Sequence, residues 1–170
     1  SSISAASNSF QAAVALELWG MGNGNYGALG QGNTTTYSSP VQVGALTDWA
    51  IVASSTHGLA VKTDRSLWSW GKNQFGALGN GNTTNTSSPV QIGALTTWAT
   101  VGANQYHSAA IKNDGTLWAW GYNAKGQLGQ GNTTNYSSPV QVGALTNWLE
   151  VACSTYATMA TKTDGTLWTI

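Results

Sequence analysis

Short apolar runs, broken by glycine and polar loops, recur along this chain. Pro40-Val41-Gln42-Val43 alternates apolar and polar positions, the period of a half-buried strand. Trp49-Ala50-Ile51-Val52 follows as a second β-rich run. Leu59-Ala60-Val61 turns through Asp64-Arg65 into Leu67-Trp68-Ser69-Trp70. In later copies that turn is Asp114-Gly115 and Asp164-Gly165, a dipeptide suited to hairpins because both turn residues take positive φ. Arg65 weakens the signal in the first copy. The pattern predicts four short strands per unit and no helix.

The units match along their whole length. Ser38-Ser39-Pro40 recurs as Ser87-Ser88-Pro89 and Ser137-Ser138-Pro139, Trp49 as Trp98 and Trp148, and Lys62 as Lys112 and Lys162. The offset is 49 or 50 residues, one residue being missing from the first copy between Val52 and His57. The ends are partial copies. Leu18-Trp19-Gly20-Met21-Gly22 aligns with Leu67-Trp68-Ser69-Trp70-Gly71, and Phe10 to Val14 resembles His107 to Ile111. Leu167-Trp168-Thr169-Ile170 opens a fourth copy. The division is 1–22, a partial repeat, then repeats at 23–71, 72–121 and 122–170. Four strands every fifty residues or so predict an all-β fold of four-stranded antiparallel β-propeller blades, about three and a half of them. A lone blade leaves its faces bare, so the tryptophan-bearing faces are expected to pack between blades.

Composition narrows the function. Lys and Arg total 6, Asp and Glu total 6, and only 7% of residues are charged, while 41% are hydrophobic, 9 are Trp and 21 are Gly. Such a chain is not disordered, because disorder needs low hydrophobicity and high net charge. It lacks the basic excess with which a nucleic-acid binder neutralises phosphates. No run reaches the length of about 20 apolar residues needed to span a membrane. A surface of Ser, Thr, Asn, Gln and Gly is expected, hydrated without charge, as on secreted and virion-surface proteins. The chain opens on Ser1 rather than Met, as expected of a processed or excised chain, and no basic-then-apolar leader is read.

The repeat resembles that of the regulator of chromosome condensation family. The matching residues are Leu117-Trp118-Ala119-Trp120-Gly121, Asn123, Gly126-Gln127-Leu128-Gly129, Gly131, Ser138-Pro139-Val140 and the Lys112-Asn113-Asp114-Gly115 hairpin. The resemblance implies a propeller, usually of seven blades, so this chain corresponds to about half a ring. It also implies one of several roles: exchange factor for a small GTPase with chromatin docking, or binding and surface module. A half-ring exposes its ends, and a second copy or the rest of a longer chain is expected to cover them.

Individual residues carry little chemistry. Trp19, Trp49, Trp68, Trp70, Trp98, Trp118, Trp120, Trp148 and Trp168 suit a carbohydrate platform if exposed, and inter-blade packing with each indole N–H bonded if buried; packing is expected. His57 and His107 share a repeat position that holds Ala157 in the third copy. With two His and one Cys in all, a zinc site lacks ligands, and no metal or cofactor is expected. Asp64, Asp114 and Asp164 are turn residues of separate units rather than an acid–base pair. Cys153 aligns with Ala103 and Ser54, a place for a small side chain. Asn33, Asn82 and Asn132 begin Asn-Thr-Thr sequons, open to glycosylation or to capping their own loops. Loop positions that vary between copies on a constant frame are candidate contacts: Tyr26, Phe75 and Lys125; Tyr37 and Tyr136; Tyr106 and Tyr156. The expected function is a non-enzymatic binding or structural module, extracellular, cell-surface or virion-associated, with a protein partner and no nucleic acid. The alternative is guanine-nucleotide exchange on a small GTPase.

Overall fold

The computed structural model describes residues 16–170. The strand-like run at 10–14 and the first residues of the partial repeat lie outside them. Thirteen strands follow one another: β1 (Trp19–Gly22), β2 (Tyr37–Gln42), β3 (Trp49–Ser54), β4 (His57–Lys62), β5 (Leu67–Gly71), β6 (Thr86–Gln91), β7 (Trp98–Ala103), β8 (His107–Lys112), β9 (Leu117–Gly121), β10 (Tyr136–Gln141), β11 (Trp148–Cys153), β12 (Thr158–Lys162) and β13 (Leu167–Thr169). The prediction of no helix misses a single 3₁₀ turn at Asn25–Gly27. It arises in the tight glycine loop after β1 and is too short to leave a periodic trace.

Antiparallel pairing runs in chain order. β3-β4-β5-β6 and β7-β8-β9-β10 form four-stranded sheets, β11-β12-β13 a three-stranded one, and β1-β2 a pair. Each full sheet starts at a tryptophan-led strand and ends at the next Ser-Ser-Pro strand. β3 lies against β7 and β7 against β11, so the first strands face a common axis.

The hairpin turns follow from their acids. Asp64 accepts from the backbone N of Ser66 at 2.9 Å and from its hydroxyl at 2.6 Å. Asp114 with Thr116 and Asp164 with Thr166 repeat the pair. Those hydroxyls hold all three carboxyls below the usual aspartate pKa. Positive φ falls on the second turn residue alone, not on both as expected: Gly115 and Gly165 sit at φ 76° and 83°, and Arg65 at φ 66° takes the same left-handed conformation despite its Cβ. That conformation costs a side-chain-bearing residue about 1–2 kcal/mol. Arg65→Gly is therefore expected to stabilise the fold by about 1 kcal/mol, read as a higher urea midpoint. An unchanged or lower midpoint would show that the guanidinium's bond to Asn113 outweighs the backbone strain.

The cores lie between sheets. Leu59, Val61 and Leu67 of one sheet meet Trp98, Val101, Ala110 and Trp120 of the next. Ala109, Ile111 and Leu117 meet Trp148 and Ala160 in the same way. Leu18 and Val43 meet Trp49, Ala60 and Trp70. Trp70 Nε1 donates to Ala28 O at 3.0 Å and Trp120 Nε1 to Ala77 O at 2.9 Å, each across a sheet boundary. Trp68 and Trp118 pack edge-on against Trp49 and Trp98 at 6.1 and 6.2 Å.

Two expectations need correction. Trp19 and Trp168 are not core residues, being 53% and 47% exposed. Both sit in the shorter sheets, of two and three strands among the described residues. Nor does every indole find a partner: the buried N–H groups of Trp49, Trp98 and Trp148 meet no acceptor. Edge-to-face packing of indole on indole holds these rings without needing one.

Candidate functional site

Aromatic side chains from successive repeats gather along one rim. Loops after β1, β5 and β9 carry Tyr26, Phe75 and Lys125 at one repeat position. The β7–β8 and β11–β12 hairpins carry Tyr106 and Tyr156. Backbone bonds bring the two loop types together: Lys72 N donates to Thr56 O at 3.1 Å, and Tyr122 N to Tyr106 O at 2.9 Å. The Phe75 ring then lies 4.7 Å from Tyr122 and 5.7 Å from Tyr106. The Lys72 ammonium lies over Tyr26 at 5.1 Å and over Tyr106 at 5.7 Å, joining one repeat's aromatic to the next. A shallow cavity of about 200 Å³ opens between Gln74, Phe75, Tyr106, Tyr122 and Tyr156.

Buried asparagines fix these loops. Asn73 Nδ2 donates to Asn82 O at 3.1 Å and to Thr84 O at 3.0 Å, while its Oδ1 accepts from Leu78 N at 2.9 Å. Asn123 repeats the arrangement with Asn132 O at 2.9 Å and Leu128 N at 3.0 Å. A buried, fully bonded amide of this kind pins the backbone around it. In the first copy Gly24 stands there instead, and Tyr26 is held at φ 61°. Such strain on a bulky residue concentrates at recognition sites.

The structure thus unites four sequence candidates, Tyr26, Phe75, Tyr106 and Tyr156, on one ledge. It adds Lys72 and Tyr122, which sequence reasoning missed. Both follow a strand-ending glycine at a position occupied by Asn23, Lys72 and Tyr122 in turn, so the same between-copy variation marks them. Lys125 is exposed at the Phe75 position, with its backbone N bonded to Gln127 Oε1 at 2.9 Å. Tyr37 and Tyr136 begin outer strands, and their hydroxyls accept from Asn33 and Asn132 at 3.1 and 3.2 Å. Asn33, Asn82 and Asn132 themselves accept from Thr35, Thr84 and Thr134 N, each at 2.8 Å. Their side chains are the caps of their own loops.

The groups most suited to proton transfer serve the frame. Ser108 Oγ donates to Ala77 O at 2.8 Å and lies 2.7 Å from His57 Nε2. A hydroxyl has one hydrogen, so the Nε2–H must donate to Ser108. Thr158 joins His107, at 3.0 Å, to Gln127 O, at 2.8 Å, in the same way. Both rings are fully buried, and burial lowers each pKa to about 4, with the neighbouring His107 lowering that of His57 further. Burial pushes the Cys153 thiol up to about 12, away from thiolate chemistry. Among the described residues no three His, Cys, Asp or Glu side chains gather as for a metal, and no helix is long and apolar enough to cross a membrane.

Comparison with known proteins follows the repeat. The model of the regulator of chromosome condensation (RCC1) repeat matches residues 17–61, 64–111 and 114–161. A second model of the same repeat matches 50–77 and 98–127. No curated protein sequence matches. Human WBSCR16 superposes with a TM-score of 0.80 at 20% identity, over 92% of this chain and 43% of that one. Prp20p from Saccharomyces cerevisiae, whose structure accompanies its binding properties to Gsp1p and histones, gives 0.78 at 20% identity, over 90% and 40%. Yeast Prp20 bound by Kap60 gives 0.73 at 20% identity, over 91% and 40%. The chain therefore spans less than half the length of these structures, and the likeness is one of fold, a β-propeller.

Proposed function

We propose that this chain, which belongs to the regulator of chromosome condensation (RCC1) repeat family, is a non-catalytic module whose aromatic ledge docks a protein partner. The observation that carries the reading is the unbroken run of Tyr26, Lys72, Tyr106, Phe75 and Tyr122 across neighbouring repeats. Tyrosine offers a large contact area at low entropy cost, and aromatic anchors dominate protein interfaces. The asparagine hubs hold the ledge ready, so little ordering is left to oppose binding. The histidines and hairpin aspartates are spent on structure, which supports a role without catalysis. A surface rich in Ser, Thr and Asn supports a setting outside the cell or on a virion.

The test is a paired one. Phe75→Ala with Tyr106→Ala is expected to weaken any partner captured by the intact chain by at least about tenfold, the loss of one interface anchor or more. The thermal melting curve should hardly move. Undiminished binding by the double variant would sink the ledge as the contact. Accelerated nucleotide release from a small GTPase would favour the exchange reading instead.

A further inference from the structure

The strand ends opposite the ledge carry a second, repeated feature. β8 runs from His107 beside the ledge to Lys112 at this far end. A cavity of about 390 Å³ opens beside Lys112, walled by Trp98, Trp118, Leu95, Gln91 and Pro139. One repeat earlier, Trp49, Trp68, Leu46, Gln42 and Pro89 wall a cavity of about 400 Å³. Both volumes fall in the range of small-molecule sites. Since equivalent positions wall both, the cavity is a product of the repeat.

The two differ in charge. Beside the first, the Lys62 ammonium rests 4.1 Å from the Trp68 ring centre, and the Asp48 carboxylate meets it at 3.4 Å. In the second, the Lys112 ammonium rests 3.7 Å from Trp118 and 5.0 Å from Trp98. Thr97 occupies the Asp48 position: Thr63 N donates to Asp48 O and Asn113 N to Thr97 O, both at 2.8 Å. No carboxylate comes within 4.0 Å of Lys112 among the described residues. Asp114, two residues along, is turned onto Thr116. Lys112 is half-buried and lines its cavity, whereas Lys62 is buried beside the first. Burial lowers the pKa of Lys112, the mark of an ammonium short of solvation.

We propose that the second cavity binds an organic carboxylate. The Lys112 ammonium holds it as Lys62 holds the Asp48 carboxylate one repeat earlier, and its apolar body lies against Leu95, Pro139 and Trp118. A charge-assisted bond in a half-buried setting supplies the anchor, and the indoles supply the platform. The carboxylate is that of a sugar acid or of a peptide C-terminus.

Ligand-observed NMR titration of the whole chain tests this, with sodium glucuronate and the dipeptide Gly-Leu as probes, and glucose and Gly-Leu amide as neutral controls. Binding by at least one acid is expected, about tenfold or more tighter than by its neutral counterpart. Glucuronate alone would assign a sugar acid, and the dipeptide alone a peptide terminus. Thr97→Asp restores the internal carboxylate and should weaken the acid by a similar factor. Lys112→Met, which keeps an apolar stem on the indoles, should do the same. The proposal is overturned if neither acid binds, if the neutral controls bind equally, or if Thr97→Asp and Lys112→Met leave affinity intact.

Discussion

Trp120→Ala is expected to destabilise the fold by about 3–5 kcal/mol, the usual cost of deleting a buried large aromatic. Trp120 is the largest fully buried side chain among the described residues. It fills the space between two sheets, against Leu59, Val61 and Leu67 on one side and within its own sheet's core on the other. The neighbouring loop is cut to its shape: a Cβ added at Gly79 would stand 2.7 Å from Trp120 Nε1. That loop is also held by other bonds, so it is poorly placed to collapse into the void. The lost indole N–H adds little, because Ser108 still donates to the same Ala77 carbonyl at 2.8 Å. Guanidinium denaturation monitored by circular dichroism measures the effect. A loss under about 1 kcal/mol, well below the range for such truncations, would contradict a core built between sheets.

Acid should be at least as damaging. His57 and His107 have pKa values near 4 in the folded protein and about 6.5 unfolded. Above pH 6.5 both states hold them neutral, and stability is flat with respect to these groups. Between about pH 6.5 and 4 the unfolded chain takes up protons that the folded chain refuses, so stability falls as pH falls. At about 1.4 kcal/mol per unit, each histidine contributes roughly 3 kcal/mol of loss across that window. Below it, the hairpin aspartates begin to lose their own lowered-pKa contribution. Denaturation midpoints at pH 7, 5.5 and 4.5 should decline, and His107→Asn should remove about half the slope. A flat profile over that range would mean that the imidazoles open to water.

The architecture was legible because its signals repeat. A tryptophan-led strand and a Ser-Ser-Pro strand each occur three times, 49 or 50 residues apart, and an Asp-Gly turn occurs twice with Asp64-Arg65 in the remaining place, so chance resemblance at one site is outvoted by the others. What a single chain cannot display is neighbourhood. Trp19 and Trp168 share their local sequence with the half-buried Trp68 and Trp118, and nothing in that sequence shows that they sit in shorter sheets and are more exposed. His57 reads locally as a hairpin residue. Its partner, Ser108, is 51 residues away in the next sheet, a contact created by stacking.

The ledge was half visible. Variation between copies pointed to Tyr26, Phe75, Tyr106 and Tyr156, which converge, and equally to Tyr37 and Tyr136, which cap their own loops. The cavity beside Lys112 was hidden from that reasoning, since most of its wall is constant from copy to copy. Its one informative change, Asp48 to Thr97, looks like drift until the lysine it leaves behind is seen.

The histidine latches carry a consequence for how the molecule comes apart. Each imidazole reaches only the hydroxyl of the following sheet, whose oxygen in turn grips a loop of the preceding one. No latch skips a neighbour. Cohesion is therefore a nearest-neighbour property, as in other repeat arrays, and failure of one link loosens two adjoining sheets while the rest persist. Ala157 stands at the histidine position of the third repeat, so that repeat extends no such latch of its own.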